Sequence, residues 1–164
     1  MIAFTIPNLR NFTTHLFLKE TFDGFLLTEA DVVTFNSFHI DGLINKEFFT
    51  EEELLQLGEE RLSRWRAVRP ICFSLIRGHK LPLSFKILFR LSSTDTNKLL
   101  AQSGLAGLYD IESFYLNVLY KNNALTCVTG TATREFTMDK TAEQIWDTAV
   151  KHFFQKWEID FDMA

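Results

Sequence analysis

His39 and Asp41 are the residues whose types and spacing come nearest to a catalytic or metal-binding pair in this sequence. Two positions apart in an extended segment, their side chains point to the same face of a strand. An imidazole and a carboxylate so placed could supply two metal ligands or an acid and base pair. The same residues also fit a turn, because Asp-Gly, here Asp41 and Gly42, is a typical dipeptide of β-hairpin turns. Since no third partner is identifiable, we assign no catalytic residue, metal ligand or cofactor and keep His39 and Asp41 as candidates.

A second candidate is the segment between residues 61 and 90, which contains eight basic residues and no Asp or Glu. The whole chain has a net charge of −4, so the remainder of the sequence is strongly acidic. Such a concentration of positive charge favours binding of a small anion, a nucleic acid or an acidic protein. The candidate binding residues are Arg61, Arg64, Arg69, Arg77, Lys80 and Lys86.

The pattern from 51 to 69 predicts one amphipathic helix that is opened by a capping box of Thr50 and Glu53 and runs until Pro70. Residues 71–77 could add one or two further turns, ended by Gly78. On this helix Arg61 and Arg69 fall inside the apolar face. A buried guanidinium keeps its charge and needs acceptors for its five donors. The acceptor could be the phosphate or carboxylate of a bound ligand, held with the help of Arg64. Alternatively, the aliphatic part of the arginine side chain could be buried while the guanidinium remains in water. An internal carboxylate is the third possibility, and the candidates for it are Asp31, Asp41 and Glu112.

Lys86 and Arg90 share one face of a predicted strand with Leu88, while apolar side chains occupy the other face. The basic face could be an ordinary solvated sheet surface. It could also bind RNA or DNA, because aromatic residues that could stack on bases, such as Trp65, lie in the same segment. The acidity of the remaining chain argues against a broad nucleic-acid footprint.

Composition places the chain among globular proteins of about one domain, residues 1–164. It has 46% apolar residues and seventeen Phe, which predicts an aromatic core. No signal peptide or apolar run of membrane-spanning length occurs, so we expect a cytoplasmic protein without a membrane segment. The two cysteines, Cys72 and Cys127, are expected to be buried thiols. No phosphate-binding loop, dinucleotide fingerprint or metalloprotease motif is present.

The order of predicted elements indicates an α+β fold with a mixed or mostly antiparallel sheet. Strands are predicted at 2–6, 25–28, 32–38 and 43–49, with a helix after the first and another closing the first half. The second half has strands at 83–91, 111–120, 125–129 and 131–138. Its two helices are a short one broken at Gly104 and Gly107 and one that begins near Thr141. The chain could therefore contain two β-α-β-β-β-α units, residues 1–77 and 83–158.

This order of elements resembles that of the sliding DNA clamps, whose domains repeat such a unit. The resemblance implies an outer sheet with helices lining a basic channel, which would give the arginine-rich segment a role. It rests on element order and on no sequence motif.

A second resemblance rests on residues rather than on element order. It is to an uncharacterised family of small proteins from anaerobic Gram-positive bacteria, and it spans nearly the whole chain. That family has no assigned activity, so the resemblance implies no functional residue. The segments that carry it are 21–31, 35–42, 45–49, 68–73 and 83–86.

These observations favour a non-enzymatic binding module that uses the basic segment 61–90 for an acidic protein, a nucleic acid or another anion. One alternative is a small metal-dependent or acid/base enzyme that uses His39 and Asp41 with an inward arginine. Another is a structural homo-oligomer, in which the basic segment pairs with acidic residues of a second copy. The acidic and aromatic C-terminus, 157–164, could form an edge strand, a frayed tail or a segment that docks on the basic residues.

Overall fold

The computed structural model describes residues 1–105 and 111–164, and within them it contains five α-helices and seven strands. The helices are α1 Leu9–Thr13, which runs into a π-helical turn at Thr14–Leu18, α2 Glu51–Leu57, α3 Trp65–Ile76, α4 Ser93–Gln102 and α5 Thr141–Lys156. The strands are β1 Ala3–Ile6, β2 Leu26–Val33, β3 Ser37–Asp41, β4 Ser84–Arg90, β5 Ile111–Lys121, β6 Ala124–Thr133 and β7 Asp162–Met163. The predicted break at Gly107 lies outside the described residues.

All seven strands join one sheet in the order β3-β2-β4-β5-β6-β1-β7, and every pair is antiparallel. The α+β class with a mostly antiparallel sheet is therefore confirmed. The tightest connection is the β5–β6 hairpin, where Asn122 and Asn123 both take positive φ, as a two-residue turn of this kind requires. The element order β-α-β-β occurs in each half, but β1 pairs with β6 of the second half rather than with β2.

One face of the sheet carries the core, because buried and exposed positions alternate along the strands. In β4 the buried positions are Phe85, Ile87 and Phe89. Phe89 contacts Trp65 of α3 edge to face, with ring centroids 5.2 Å apart, and the Trp65 indole N–H donates to the Leu16 carbonyl. We call this the inner face. The opposite, outer face carries the intervening side chains of each strand, which remain partly or fully exposed.

The core is aromatic, as the composition predicts. Phe22 stacks on Phe89 with ring centroids 5.5 Å apart, and Phe4 meets Phe154 of α5 edge to face. Offset and edge-to-face pairs of this kind add stability beyond the apolar area that they bury. The inner face is thus held to α3 and α5 largely by rings.

The predicted helix over 51–69 is wrong, because the chain breaks it in the middle. Gly58 has φ +68 and ends α2, and residues 61–64 are extended. Their backbone groups bond to distant segments: the Ser63 N–H donates to Gly42 O, and Leu27 N–H donates to Ser63 O, each at 2.8 Å. α3 then starts at Trp65 and continues through Pro70 to Ile76, so it includes the further turns that the sequence allows after Pro70. Consequently Arg61 is not on a helix.

Four of the predicted strands also need correction. The predicted strands at 25–28 and 32–38 do not match two separate strands: β2 runs without a break from Leu26 to Val33, and residues 37 and 38 begin β3 after a turn. The predicted strand at 43–49 reduces to one bridge between Leu43 and Leu62 and a 3-10 turn at Lys46–Phe48. The predicted strand at 131–138 is not a separate strand. Its first residues are the end of β6, which continues through Gly130 without a break.

The C-terminal segment forms an edge strand. Residues of β7 pair with β1, at the end of the sheet opposite β3, and Phe161 lies 5.1 Å from the Phe4 ring. The tail therefore covers the core at β1 and does not dock on the basic residues of its own chain.

Candidate functional site

A groove of about 550 Å³ lies between α2, the extended segment 61–64 and the start of α3. It exists because the chain leaves the helix at Gly58, runs beside Gly42 and Ile44, and re-enters a helix at Trp65. Its apolar lining is Ile44, Phe49, Leu57, Leu62 and Ala67. Its charged lining is Glu60, Arg64 and Arg66.

Arg64 and Arg66 are the cationic part of this groove. The Arg64 guanidinium donates one hydrogen bond, from Nη1 to the Gly24 carbonyl at 3.1 Å. Within the described ranges neither arginine forms a salt bridge. Arg64 is also the N-cap residue of α3, which has no side-chain cap and no acidic residue in its first turn. The partial positive charge of that helix end therefore adds to the two guanidinium charges.

Exposed apolar side chains either line this groove or lie next to a lining residue in the sequence. Phe48 is 84% exposed and Leu55 82% exposed, and Leu43 and Leu57 are exposed as well. Single exposed apolar residues are common, but a cluster bordered by charged groups is typical of an interaction surface. The groove and these residues together form the apolar and basic region that we call the α2–α3 surface.

Arg69 is occupied by an internal ion pair. Its Nε donates to Asp23 Oδ1 at 2.9 Å and its Nη2 donates to Asp23 Oδ2 at 3.0 Å, while Nη1 reaches the Phe17 carbonyl at 3.4 Å. Both side chains are mostly buried, at 17% and 12% exposure. The acceptor is thus an internal carboxylate, but it is Asp23 and none of the three that the sequence suggests.

The other predicted anion-binding residues lie apart from one another. Arg61 is exposed in the segment beside the groove, and its carbonyl accepts from Ile44 N–H at 2.7 Å. Arg77 is the C-cap residue at the far end of α3, and Lys80 is exposed in the loop beyond it. Lys86 lies on the outer face of the sheet. Only Arg64, of the six predicted residues, lines the groove.

His39 and Asp41 share the outer face of β3, but His39 pairs with a residue of the neighbouring strand. Its Nδ1 lies 2.7 Å from Asp31 Oδ1, and Glu29 lies beside them. The hydrogen bond to Asp31 is the main reason that the pKa of His39 is raised. The Asp41 Oδ1 instead accepts from the Leu43 N–H at 2.9 Å, which closes the turn.

The enzyme arrangement that the sequence allows requires His39, Asp41 and an inward arginine to meet in a pocket. Arg69 belongs to α3, which packs on the inner face, and it pairs with Asp23, whereas His39 and Asp41 lie on the outer face. The sheet therefore separates Arg69 from His39 and Asp41, and Arg61, the other arginine that the sequence places on the apolar face, is exposed beside the groove.

Both cysteines are buried, as predicted. Burial raises the pKa of the Cys72 thiol to about 12 and also raises the pKa of Cys127, because an apolar setting disfavours the thiolate. Neither is therefore poised as a nucleophile.

Sequence reasoning missed Arg66, Asp31 and Glu29 as members of these clusters. Arg66 is not among the candidate binding residues, because a single helix over 51–69 has no groove between its two halves. The β2–β3 register pairs Asp31 with His39 and Glu29 with Asp41. The prediction of a single strand from Leu26 to Val33 would have placed Glu29 and Asp31 on one strand face, next to His39.

Among the described helices, none combines the length and the apolar character that a membrane span needs. Comparison with curated proteins finds no match, and comparison with solved structures finds none either. The resemblance to sliding clamps therefore has no support from these comparisons. One family model matches residues 15–162, nearly the whole chain, which confirms the expectation of an uncharacterised family. The chain belongs to the family of unknown function DUF5721.

Proposed function

We propose that this protein is a non-enzymatic binding module whose α2–α3 surface receives an acidic segment of another protein chain. The observation that carries the proposal is one groove in which an apolar wall meets Arg64 and Arg66, two arginines without a salt bridge among the described residues.

Charge complementarity favours an acidic occupant. Glu60 is the one carboxylate of the groove lining, against two guanidinium groups and the N-terminus of α3, which has no side-chain cap. Arginine forms bidentate hydrogen bonds with carboxylates, and these are stronger than bonds between neutral groups. An Asp or Glu of the occupant would pair with Arg64 or Arg66.

The apolar lining favours a protein segment over a free anion. The groove walls include the apolar side chains of Ile44, Leu57 and Leu62. A small anion would not cover these side chains, so they would remain in contact with water. Leucine or phenylalanine side chains of a peptide would bury against them, each gaining about 1.5–3 kcal/mol on full burial. Phe48 and Leu55 are exposed next to the lining residues Phe49 and Gln56 in the sequence, so they offer further apolar area to the same segment.

The distribution of the other basic residues favours a peptide over a nucleic acid. α3 is twelve residues long, so its two ends are about 18 Å apart, and Arg77 lies at the far end from the groove. Lys86 is on the outer face of the sheet. A nucleic-acid strand bound along this segment would need a continuous line of phosphate contacts, which these positions do not offer.

Fluorescence anisotropy tests the proposal with a short labelled peptide in which aspartate alternates with leucine. The comparison is between the wild type, an Arg64→Ala, Arg66→Ala variant and an Arg77→Ala, Lys80→Ala variant. The second variant is the matched control, because it removes the same charge from the opposite end of α3. We expect the first variant to bind the peptide at least about tenfold more weakly and the control to bind within about twofold of wild type.

Two further probes distinguish an acidic peptide from other possible ligands of the groove. A lysine-leucine peptide should not bind, and labelled oligothymidine should bind more weakly than the acidic peptide in about 150 mM salt. Equal weakening by the two double variants would mean diffuse attraction and would contradict the groove. Tighter binding of oligothymidine, lost equally in both variants, would replace the proposal with nucleic-acid binding.

A further inference from the structure

Three metal-ligating side chains meet on the outer face of β2 and β3. The carboxylate oxygens of Glu29 and Asp31 and an imidazole nitrogen of His39 all lie within 4.8 Å of one another. The two strands pair in the register that places Asp31 directly opposite His39. These residues alternate with buried Ala30 and Val32, so the sheet holds their backbone rigidly while the side chains face solvent.

The spacing of these donors fits a single cation. In a tetrahedral site with ligand bonds of about 2.1 Å, neighbouring ligand atoms are about 3.4 Å apart. Donors that already lie within 4.8 Å reach that spacing by side-chain rotation, without movement of the strands. Asp31 Oδ1 and His39 Nδ1, at 2.7 Å, would move apart as the cation replaces the hydrogen bond between them.

The charges around the cluster also favour a cation. Glu29 and Asp31 supply two negative charges, and Asp41, the cross-strand neighbour of Glu29, supplies a third at the border. Lys86 is the opposing group, since it is the β4 neighbour of Asp31, but it forms no salt bridge with a described residue. One imidazole and two carboxylates form a mixed donor set, which suits Zn²⁺ and similar transition ions better than Mg²⁺.

We propose that Glu29, Asp31 and His39 form a binding site for a divalent transition cation, with Zn²⁺ as the representative ion. Solvent fills the remaining coordination positions, as is usual for a site at a protein surface. This site is on the outer face of the sheet and does not depend on the α2–α3 surface or on its proposed partner.

Isothermal titration of the full chain with ZnCl₂ tests the site. We expect one ion to bind per chain, and we expect Asp31→Asn and His39→Gln each to weaken binding at least about tenfold, because each removes one of three ligands. Asp41→Asn is the matched control on the same strand, since an Asn oxygen can still accept from Leu43 N–H. His79→Gln is the control for adventitious binding by an exposed histidine. Both controls should stay within about threefold of wild type, and MgCl₂ should give no measurable heat.

A second readout assigns the ion to His39 directly. In ¹H–¹⁵N spectra of the imidazoles, Zn²⁺ should shift the His39 nitrogens and leave those of His79 and His152 unchanged. Thermal unfolding without metal verifies that the variants fold, as expected for exposed positions. Wild-type affinity weaker than about 1 mM, unchanged affinity in His39→Gln, or equal loss in His79→Gln would each overturn the proposal.

Discussion

Asp23 and Arg69 form a two-pronged ion pair between the loop after the π-helical turn and the middle of α3. The guanidinium presents Nε and Nη2 to the two carboxylate oxygens at 2.9 and 3.0 Å. A third donor reaches the Phe17 carbonyl. The pair explains how an arginine on the packed side of α3 keeps its charge, and it anchors α3 to the N-terminal segment.

Removing one partner of this pair should cost more than removing both. Arg69→Ala leaves a mostly buried carboxylate without its partner, and we expect a loss of about 3 kcal/mol in the free energy of unfolding. Replacing Asp23 with Ala in the same chain should recover part of that loss, because no unpaired charge is then left. Urea unfolding of the two single variants and the double variant measures the coupling. Additive losses would mean that the two groups do not interact.

Gly42 should tolerate no side chain, whereas Gly24 should tolerate one. A Cβ on Gly42 would lie 1.8 Å from the Leu27 carbonyl oxygen, while a Cβ on Gly24 would meet nothing within 4 Å. Gly42→Ala must therefore push β2 and the segment around residue 42 apart, and we expect a loss of more than about 2 kcal/mol. Gly24→Ala, the matched control, should change the unfolding free energy by less than about 1 kcal/mol. Thermal and urea unfolding compare the two, and equal effects would contradict the close approach.

The close approach at Gly42 also shows why the groove could not be predicted. The residues from Glu51 to Arg69 have the apolar spacing of one helix, and local propensity supports that interpretation. The structure breaks the helix because Gly58 takes a positive φ and because Ser63 finds hydrogen-bond partners on β2 and Gly42. Those partners are distant in sequence, so no local pattern could reveal them.

The structural features that follow from the alternation of apolar and polar residues along a strand were predictable. The alternation of Phe85, Ile87 and Phe89 with Lys86 and its neighbours predicts one buried and one exposed face for β4, as observed. The aromatic core was predictable from composition, because the chain contains seventeen Phe. By contrast, which carboxylate meets Arg69 or His39 depends on strand order and register, and these are tertiary properties.

Replacing Asp31 with Asn should lower the pKa of His39 toward 6.5, its ordinary value. In the folded chain the hydrogen bond to Asp31 raises that pKa, and weaker attraction from Glu29 and Asp41 raises it further. Because the folded pKa is the higher one, the contribution of this pair to stability is complete below about pH 6.5 and is lost as pH rises through the folded pKa. NMR titration of the His39 ring measures the shift. Asp41→Asn should lower the pKa less than Asp31→Asn, and the reverse order would contradict the geometry.

His15 should make the protein less stable in mild acid. Its ring is buried in the π-helical turn, where Nδ1 lies 2.7 Å from Thr21 Oγ1. Burial lowers the pKa of His15, and the Lys19 charge lowers it further, while Glu158 acts in the opposite direction. A folded pKa below the unfolded value of 6.5 means that the stabilising contribution is complete above about pH 6.5 and is lost as pH falls through the folded pKa.

Urea unfolding at about pH 7.5 and about pH 5.5 measures this effect, since the second value lies below the pKa of an unfolded histidine. His15→Gln cannot take up a proton there but can still hydrogen-bond to Thr21, so the loss of unfolding free energy between the two conditions should be smaller in this variant than in wild type. His152→Gln, which removes an exposed histidine, is the matched control and should leave the wild-type difference in place. If His15→Gln and wild type lose the same amount on acidification, the buried imidazole does not resist protonation, and the acid response must come from the carboxylates.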